Sequence, residues 1–303
     1  ESVIGDYRGK NNQWVYRLQD DPTIAYVRLT RFGEKTVREL EQVLADLDND
    51  YSSLVLDLRG NGGGLLHAAV QVSDMFIDSG RIVSTRVRGG KVEDRFDATE
   101  GTFVEKDKPI AILIDVDSAS ASEIVAACLQ DNQRAVVVGT RSYGKGTVQN
   151  ILPLEYGRSA LRLTVARYYR PNGKNIHRGK DATDDDEWGV QPNEGLVVEL
   201  DEGSLSQLAK RWREASYPSL AATDDGKTEN VVPNPDIGDT AKPEATSQAP
   251  PSDTQPDTSA EVGHGEPSDE TPASVDPPPT SGLELDPQLR RAVEYLRKKL
   301  SSE

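Results

Sequence analysis

The sequence predicts an α/β fold with a mixed sheet core, covering helices and additional antiparallel strands. A long disordered acidic segment and a C-terminal helix are expected to follow this core. Apolar runs of strand length, SSLVLDLR at 52–59 and PIAILIDVD at 109–117, alternate with amphipathic helical patterns such as 37–50. Near-continuous apolar strands between helices are typical of parallel sheets with both faces covered.

The elements follow from local patterns in chain order. Residues 23–32 predict a strand, 37–50 a helix, 52–59 a strand, and 65–80 a helix that ends at Gly80. The turn signal Gly89-Gly90 separates two further strands. A strand at 109–117, the helix SASEIVAACLQDN and a strand at 135–139 come next, and TVQNILPL and ALRLTVARYYRP predict antiparallel strands. After Gly195, LVVEL is a candidate for one last strand.

Composition divides the chain into a lead-in at 1–22, a core domain at 23–215, a disordered linker at 216–284 and a helix at 285–303. Residues 223–286 hold 15 acidic and 2 basic residues, or −13 of the net charge of −16, and most of the 18 prolines. Such a segment buries too little apolar surface to offset the entropy of ordering. An acidic segment also repels phosphate, so we expect no nucleic-acid partner.

The C-terminal helix carries Leu289, Val293, Leu296 and Leu300 at helical spacing. This apolar face is expected to dock back onto the domain or onto a partner, as a homo-oligomer or adaptor contact. The single cysteine, Cys128, excludes a disulfide within the chain and a cysteine-based zinc cluster. No run approaches the 18 apolar residues of a membrane-spanning helix, so we expect no integral membrane segment in this chain.

The stretch VVVGTRSYGKGTVQ at 136–149 is one residue short of a phosphate-binding loop. Such a loop must open a helix, but β-branched residues and a proline follow Lys145. The position that should bind Mg²⁺ through a hydroxyl is Gly146. Nucleotide binding is therefore disfavoured, and the simplest interpretation of Lys145 alone is a solvated side chain in a glycine turn.

Two other stretches favour catalysis. In DSASASEIVAACLQDN a buried strand turns into a helix, where a serine is held at a sharp bend beside free amides. The structural alternative is a capping box from Ser120 to Glu123. In LDLRGNGGGLL, consecutive glycines let backbone N–H groups point at a negative charge. The alternatives are a tight turn or a dinucleotide fingerprint, and the fingerprint fails because position 65 is Leu.

A serine nucleophile needs a base, and no histidine is a good candidate. His67 lies just inside a helix and is interpreted as structural, His177 lies in a polar loop, and His264 lies in the acidic segment. A neutral amine serves if burial lowers the pKa of the lysine. The glycines around Lys145 would then give clearance for an amine that reaches a serine.

These residues resemble the C-terminal processing peptidases, also called tail-specific proteases. SASASEIVAACLQDNQRAVVVGTRSYGKGTVQ is similar to the family signature, DLRGNGGGLL resembles its oxyanion loop, and YVRLTRF and YYRPNGKNIH resemble flanking strands. The resemblance covers roughly residues 2 to 200. It implies a ClpP/crotonase-like core and a serine endopeptidase that acts on protein or peptide substrates near their C-termini, without metal or cofactor.

The resemblance also implies roles for individual residues. Ser120 is expected to be the nucleophile and Lys145 the general base, with Gln149 orienting the lysine. Four residues on a straight strand span roughly 13 Å, so the chain must bend between Lys145 and Gln149. The amides of Ala121 and of a glycine in the run 62–64, expected to be Gly63, would form the oxyanion hole. Ser118 and Ser122 would support this arrangement, and Asp131 is assigned a structural role.

The family usually carries a PDZ domain, which binds the C-terminal tail of the substrate. SVIGDYRGKNNQWVYRL resembles the segment that follows that domain, and no PDZ sequence precedes it in this chain. The resemblance implies a location outside the cytoplasm, in the periplasm or cell envelope. The alternative function is a catalytically silent peptide- or ligand-binding module on the same fold.

Overall fold

A five-stranded sheet lies at the centre of the fold. The computed structural model describes residues 1–217 and 282–302. The sheet consists of β1 (Val3–Ile4), β4 (Ile24–Leu29), β5 (Ser53–Asp57), β8 (Ile110–Ile114) and β9 (Val136–Gly139), in the order β1-β4-β5-β8-β9. The last four strands are parallel, and β1 runs antiparallel to β4. The predicted mixed α/β core is confirmed.

Three helices pack on one face of this sheet: α1 (Thr36–Leu47), α2 (Leu66–Asp74) and α3 (Ala121–Asp131). Side chains alternate along each strand, so Leu54 and Leu56 of β5 join this core while Val55 faces the opposite side. The helix predicted over 65–80 ends at Asp74 instead of Gly80. Phe76, at 0% exposure, and the buried Ile77 instead turn into the core.

The C-terminal helix covers the opposite face. α6 (Pro287–Ser301) follows a single turn, α5 (Gly282–Leu285). The α6 residues Leu289, Val293 and Leu296 are at most 1% exposed and pack against apolar side chains of the parallel strands. Of the two predicted alternatives, the structure has α6 docked onto the domain, while Leu300 stays exposed.

The predicted antiparallel strands form a second sheet of four strands. They are β6 (Arg81–Val87), β7 (Val92–Asp97), β10 (Thr147–Leu154) and β11 (Ser159–Tyr169), in the order β10-β11-β6-β7. All neighbouring pairs are antiparallel. The register of β10 shifts between Val148 and Gln149, so the strand is irregular directly before Gln149.

Some elements differ from the sequence prediction. LVVEL after Gly195 forms no strand; Val197 makes only an isolated bridge with Gly139. The sequence analysis missed α4 (Glu202–Ser216), whose weak pattern reflects a single buried residue, Leu208. The lead-in contributes β1 and a short pair, β2 (Tyr7–Arg8) and β3 (Trp14–Val15). The four-part division of the chain stays a prediction, and residues 218–281, with most of the acidic linker and His264, lie outside the described residues.

Among the helices of residues 1–217 and 282–302, none combines the length and the apolar character that a membrane-spanning helix needs.

Candidate active site

Ser120 occupies a strained bend between β8 and α3. Its φ of 57° and ψ of −110° lie in a region that non-glycine residues rarely adopt, and α3 begins at the next residue. The bend leaves Ser120 half-buried while Ala119 and Ala121 on either side are buried. A serine side chain is thus presented at the end of a parallel strand and the start of a helix, as the sequence predicted.

The serines that flank Ser120 tie this bend to the glycine loop 60–64. The Ser118 hydroxyl donates to the Leu58 carbonyl at 2.9 Å, and the Ser122 hydroxyl donates to the Asn61 carbonyl at 2.8 Å. The Ala119 N–H also donates to the Asn61 carbonyl at 3.0 Å. Both serines therefore lie where the resemblance placed supporting residues.

Gly63 lies directly against Ser120. A Cβ on Gly63 would be 2.8 Å from the Ser120 Cβ and 2.9 Å from the Ala121 nitrogen, closer than real side chains approach, and its φ is 97°. Only glycine fits here, so the structure brings together the residues predicted for the oxyanion hole. The Gly63 N–H donates to the Asn61 side-chain oxygen at 2.9 Å, so this amide is engaged within its own loop.

Glu123 joins the bend at Ser120 to the loop that carries Lys145. Its Oε2 accepts from the backbone N–H groups of Ser120 at 2.7 Å and Lys145 at 2.8 Å. Its Oε1 accepts from the Ser142 hydroxyl and the Gly144 N–H, both at 2.6 Å. Burial raises the pKa of this carboxyl, and the four hydrogen bonds oppose that rise. The sequence pattern indicated Glu123 only as a partner in a capping box, and its bonds to the Lys145 loop were not predicted.

The Lys145 side chain is exposed, and within residues 1–217 no hydrogen bond joins it to Ser120. It borders an open cleft of about 390 Å³ that is also lined by Tyr143, His177 and Arg178. Gln149 is exposed as well. The expected desolvation of Lys145 is therefore not present in this structure, because the described residues leave the outer side of its loop open.

The glycines beside Lys145 make room for a neighbouring segment. A Cβ on Gly146 would lie 2.3 Å from the His177 nitrogen, and one on Gly144 would lie 2.7 Å from the Arg178 Cβ. Residues 176–178 and the Trp188 ring occupy the space that the two glycines leave, which corrects the interpretation that this space serves the Lys145 amine. Because a strand follows Lys145 where a phosphate-binding loop would begin a helix, the structure also argues against nucleotide binding.

Two histidines, His67 and His177, lie in the described part of the chain. His67 is exposed in the first turn of α2, which gives no support to a structural role. His177 is half-buried, and burial together with the charge of Arg167 lowers its pKa. Asp131 forms a 2.7 Å ion pair with Arg170, which fits its assigned structural role. Within the described ranges no group of three His, Cys, Asp or Glu residues could hold a metal ion.

A buried ion cluster lies at the base of the glycine loop. Arg59 is 1% exposed and pairs with Asp57 at 2.6 Å and with Asp286 at 2.8 Å. Burial is the largest effect and would raise the pKa of Asp57, but the charges of Arg59 and Arg28 and the hydrogen bonds from Arg59 and Tyr26 together hold this pKa below its usual value. The sequence offered one signal, charged residues inside the run SSLVLDLR, and the analysis did not use it.

Several known proteins are similar to this chain in sequence. A carboxy-terminal-processing protease of Bartonella bacilliformis is 49% identical over 167 residues, which are 53% of this chain and 37% of that protein. Carboxyl-terminal-processing peptidase 3, chloroplastic, of Arabidopsis thaliana is 33% identical over 198 residues, 65% of this chain and 36% of that protein. The chain thus spans little more than a third of either relative's length.

Among solved structures, a photosystem II D1 C-terminal processing protease has a similar fold. The TM-score is 0.52 at 30% sequence identity, and the match covers 70% of this chain and 51% of that one. The family model described as peptidase family S41 matches residues 23–194, which include Ser120, Lys145 and Gln149. The matched range is more than half of the chain, and on this ground the chain belongs to peptidase family S41.

Proposed function

We propose that this chain carries the catalytic domain of a serine endopeptidase that processes or degrades protein substrates from near their C-termini. The observation that carries the proposal is the contact of Gly63 with Ser120 and the Ala121 amide at a strained bend. Strain of this kind persists only where the surroundings hold it, and it is typical of functional sites. The names of the relatives support the substrate class, which is protein and peptide chains.

The mechanism assigns each group one task. The neutral Lys145 amine accepts the proton of the Ser120 hydroxyl as its oxygen attacks the scissile carbonyl. The amide of Ala121 and a glycine amide, expected to be that of Gly63, stabilise the resulting oxyanion. Collapse releases the amine product, which takes the proton from Lys145. Water then hydrolyses the acyl-enzyme and regenerates Ser120, with Lys145 again as the base.

Two parts of the site must change before this reaction. A lysine acts as a base when its pKa falls, and a bound substrate that covers Lys145 would desolvate the amine. The Gly63 amide must also exchange its bond to Asn61 for a bond to the substrate oxyanion. Gln149 would then orient the lysine from the irregular strand β10. We propose that substrate binding completes the site.

The test compares cleavage of an unfolded protein by the parent, Ser120→Ala and Lys145→Ala. Both variants should lose activity by several orders of magnitude, as removal of a nucleophile or its base does. Lys180→Ala, a lysine change in the same cleft, is the matched control and should retain activity. Cleavage at the parental rate by both site variants would refute the dyad.

The exposed Lys145 and the engaged Gly63 amide favour one rival, a catalytically silent peptide-binding module. Labelling of Ser120 by a fluorophosphonate probe separates the two functions, because only an activated serine attacks the phosphorus and displaces fluoride. The control is Ser159→Ala, an exposed serine in β11, which should label like the parent. From the resemblance we also propose a location outside the cytoplasm, which fractionation of cells that express the protein would test.

A further inference from the structure

Arg59 joins the glycine loop to the C-terminal segment. It directly precedes residues 60–64, and its guanidinium is buried at 1% exposure. A guanidinium has five N–H donors, and each one has an acceptor here. The Nε–H bonds to Asp57, and one Nη2–H bonds to Asp57 at 2.6 Å. The other three donors bond to the C-terminal segment, at 2.9 and 2.8 Å to Asp286 and 3.1 Å to Gln288.

These bonds connect residues that are 227 positions apart in the chain. Asp286 is the N-cap of α6 and accepts from the Leu289 N–H at 3.0 Å, so the start of the helix and the guanidinium share one carboxylate. Without that carboxylate, Arg59 would keep its bonds to Asp57 alone among the described acidic residues, and a second buried cation, Arg28, lies close to the same Asp57. A buried charge that loses its partner forces its surroundings to rearrange.

The loop above Arg59 has little freedom to absorb such a rearrangement. The Arg59 carbonyl accepts from Arg28 at 3.2 Å, and the ring of Trp212 lies 3.3 Å from the guanidinium carbon of Arg28. The Asn61 N–H bonds to the Leu58 carbonyl at 3.2 Å, and Asn61 holds the backbone beside Ser120. A displacement of Arg59 therefore passes to Gly63 through the three residues between them.

We propose that Asp286 is a positioning residue for the glycine loop: by fixing Arg59 it sets the place of the oxyanion-hole amide, so that docking of residues 282–302 controls the acylation rate. This inference rests on the proposed peptidase function. Asp286 touches no reacting atom, and it acts only through Arg59. The C-terminal segment beyond the acidic linker then helps to position the catalytic groups, in addition to covering one face of the sheet.

The experiment uses the full chain with Asp286→Asn. Asparagine still caps the helix, because its side-chain oxygen accepts from the Leu289 N–H, but it removes the charge and one acceptor from Arg59. The kcat for an unfolded protein should fall by about ten- to a hundredfold, since a small misplacement of a catalytic group has this effect. KM should stay at the parental value, because the substrate contacts are unchanged.

The matched control is Arg297→Gln. Arg297 also joins α6 to the domain, through a 2.7 Å ion pair with Asp21, but this pair is partly exposed and away from Arg59. The control should keep the parental kcat. Hydrogen exchange of residues 60–64 supplies a readout that does not need activity: it should quicken in Asp286→Asn and stay parental in Arg297→Gln.

A double-mutant cycle tests whether Asp286 acts through Arg59. Adding Asp286→Asn to Arg59→Gln should lower kcat no further than Arg59→Gln alone. Parental kcat and parental exchange at residues 60–64 in Asp286→Asn would overturn the inference. If that variant does not fold, Gln288→Met replaces it, which removes one bond to Arg59 and one to the Val198 carbonyl. Gln288→Met should also lower kcat and quicken exchange at residues 60–64, both by smaller amounts. Parental kcat and parental exchange in this variant would overturn the inference equally.

The two proposals fail differently. A parent without peptidase activity and without fluorophosphonate labelling would contradict the proposed function, while the exchange measurement would still decide whether Asp286 positions the loop. An active parent with an unaffected Asp286→Asn would leave the function standing and remove the role of Asp286.

Discussion

Glu123→Gln is the change that most directly tests how the site is held together. The carboxylate accepts four hydrogen bonds, two at each oxygen, and it is 0% exposed. Glutamine keeps one oxygen and replaces the other with an NH₂ group, which donates and cannot accept. The substitution conserves shape, so its effect reports the lost acceptor.

The orientation of the new amide sets the magnitude. With NH₂ at the Oε1 position, the Gly144 N–H loses its acceptor. The Ser142 hydroxyl, which also accepts from the Val190 N–H, can turn and accept from the new amide but no longer donates to residue 123. With NH₂ at the Oε2 position, the N–H groups of Ser120 and Lys145 both lose theirs. An unsatisfied buried donor costs about 1–3 kcal/mol, so the first arrangement is favoured and the variant should lose about that much.

Thermal unfolding measures this loss. A domain of this size shifts in Tm by about 2–4 °C for each kcal/mol, so Glu123→Gln should melt about 2–12 °C below the parent. Cleavage of an unfolded protein should also slow, because the Gly144–Lys145 backbone is no longer fixed to the bend at Ser120. The matched control, Glu93→Gln on the exposed strand β7, should behave like the parent. Parental Tm and parental cleavage in Glu123→Gln would show that this carboxylate does not join the two elements.

Three further outcomes are expected. Gly146→Ala places a Cβ 2.3 Å from a backbone nitrogen and should destabilise the fold by about 1–3 kcal/mol in urea titrations. Gly179→Ala, whose Cβ would have only a 3.9 Å contact, should not. Equal urea midpoints for the two variants would contradict the packing at Gly146. Leu296→Ala in α6 removes a 0% exposed side chain and should lower the free energy of unfolding by about 2–5 kcal/mol. Leu300→Ala, at a position that is 36% exposed, should lower it little. If the two variants unfold alike, α6 is not docked. Burial raises the pKa of Glu123 above its ordinary 4.5, so between these two pKa values the folded chain holds a proton that the unfolded chain has released. Relative to Glu123→Gln, the parent's free energy of unfolding should therefore fall as pH rises from about 4.5 through the folded-state pKa. A free energy of unfolding that rises over this range would contradict this sign.

Much of the fold could be predicted from local patterns. The apolar runs at 52–59 and 109–117 predicted the buried strands β5 and β8, and the spacing of Leu289, Val293 and Leu296 predicted the docked helix face. The helix start at Ser120 was predictable too, because Ser120 to Glu123 is a capping box, although six residues, 115–120, separate β8 from α3. The helix α4 was missed because its face buries only one residue.

The sequence by itself determined the order of strands and helices, the serine at a strand–helix junction and the glycine loop, since these depend on neighbouring residues and on the period of apolar positions. Only the tertiary structure decided which charges meet: that Asp286 reaches Arg59 across 227 positions, and that Glu123 fixes both Ser120 and Lys145. It also decided that Lys145 is exposed. A carboxylate in a sequence carries no sign of which distant cation it will pair with, because that choice follows from how the apolar faces of the sheet and helices pack.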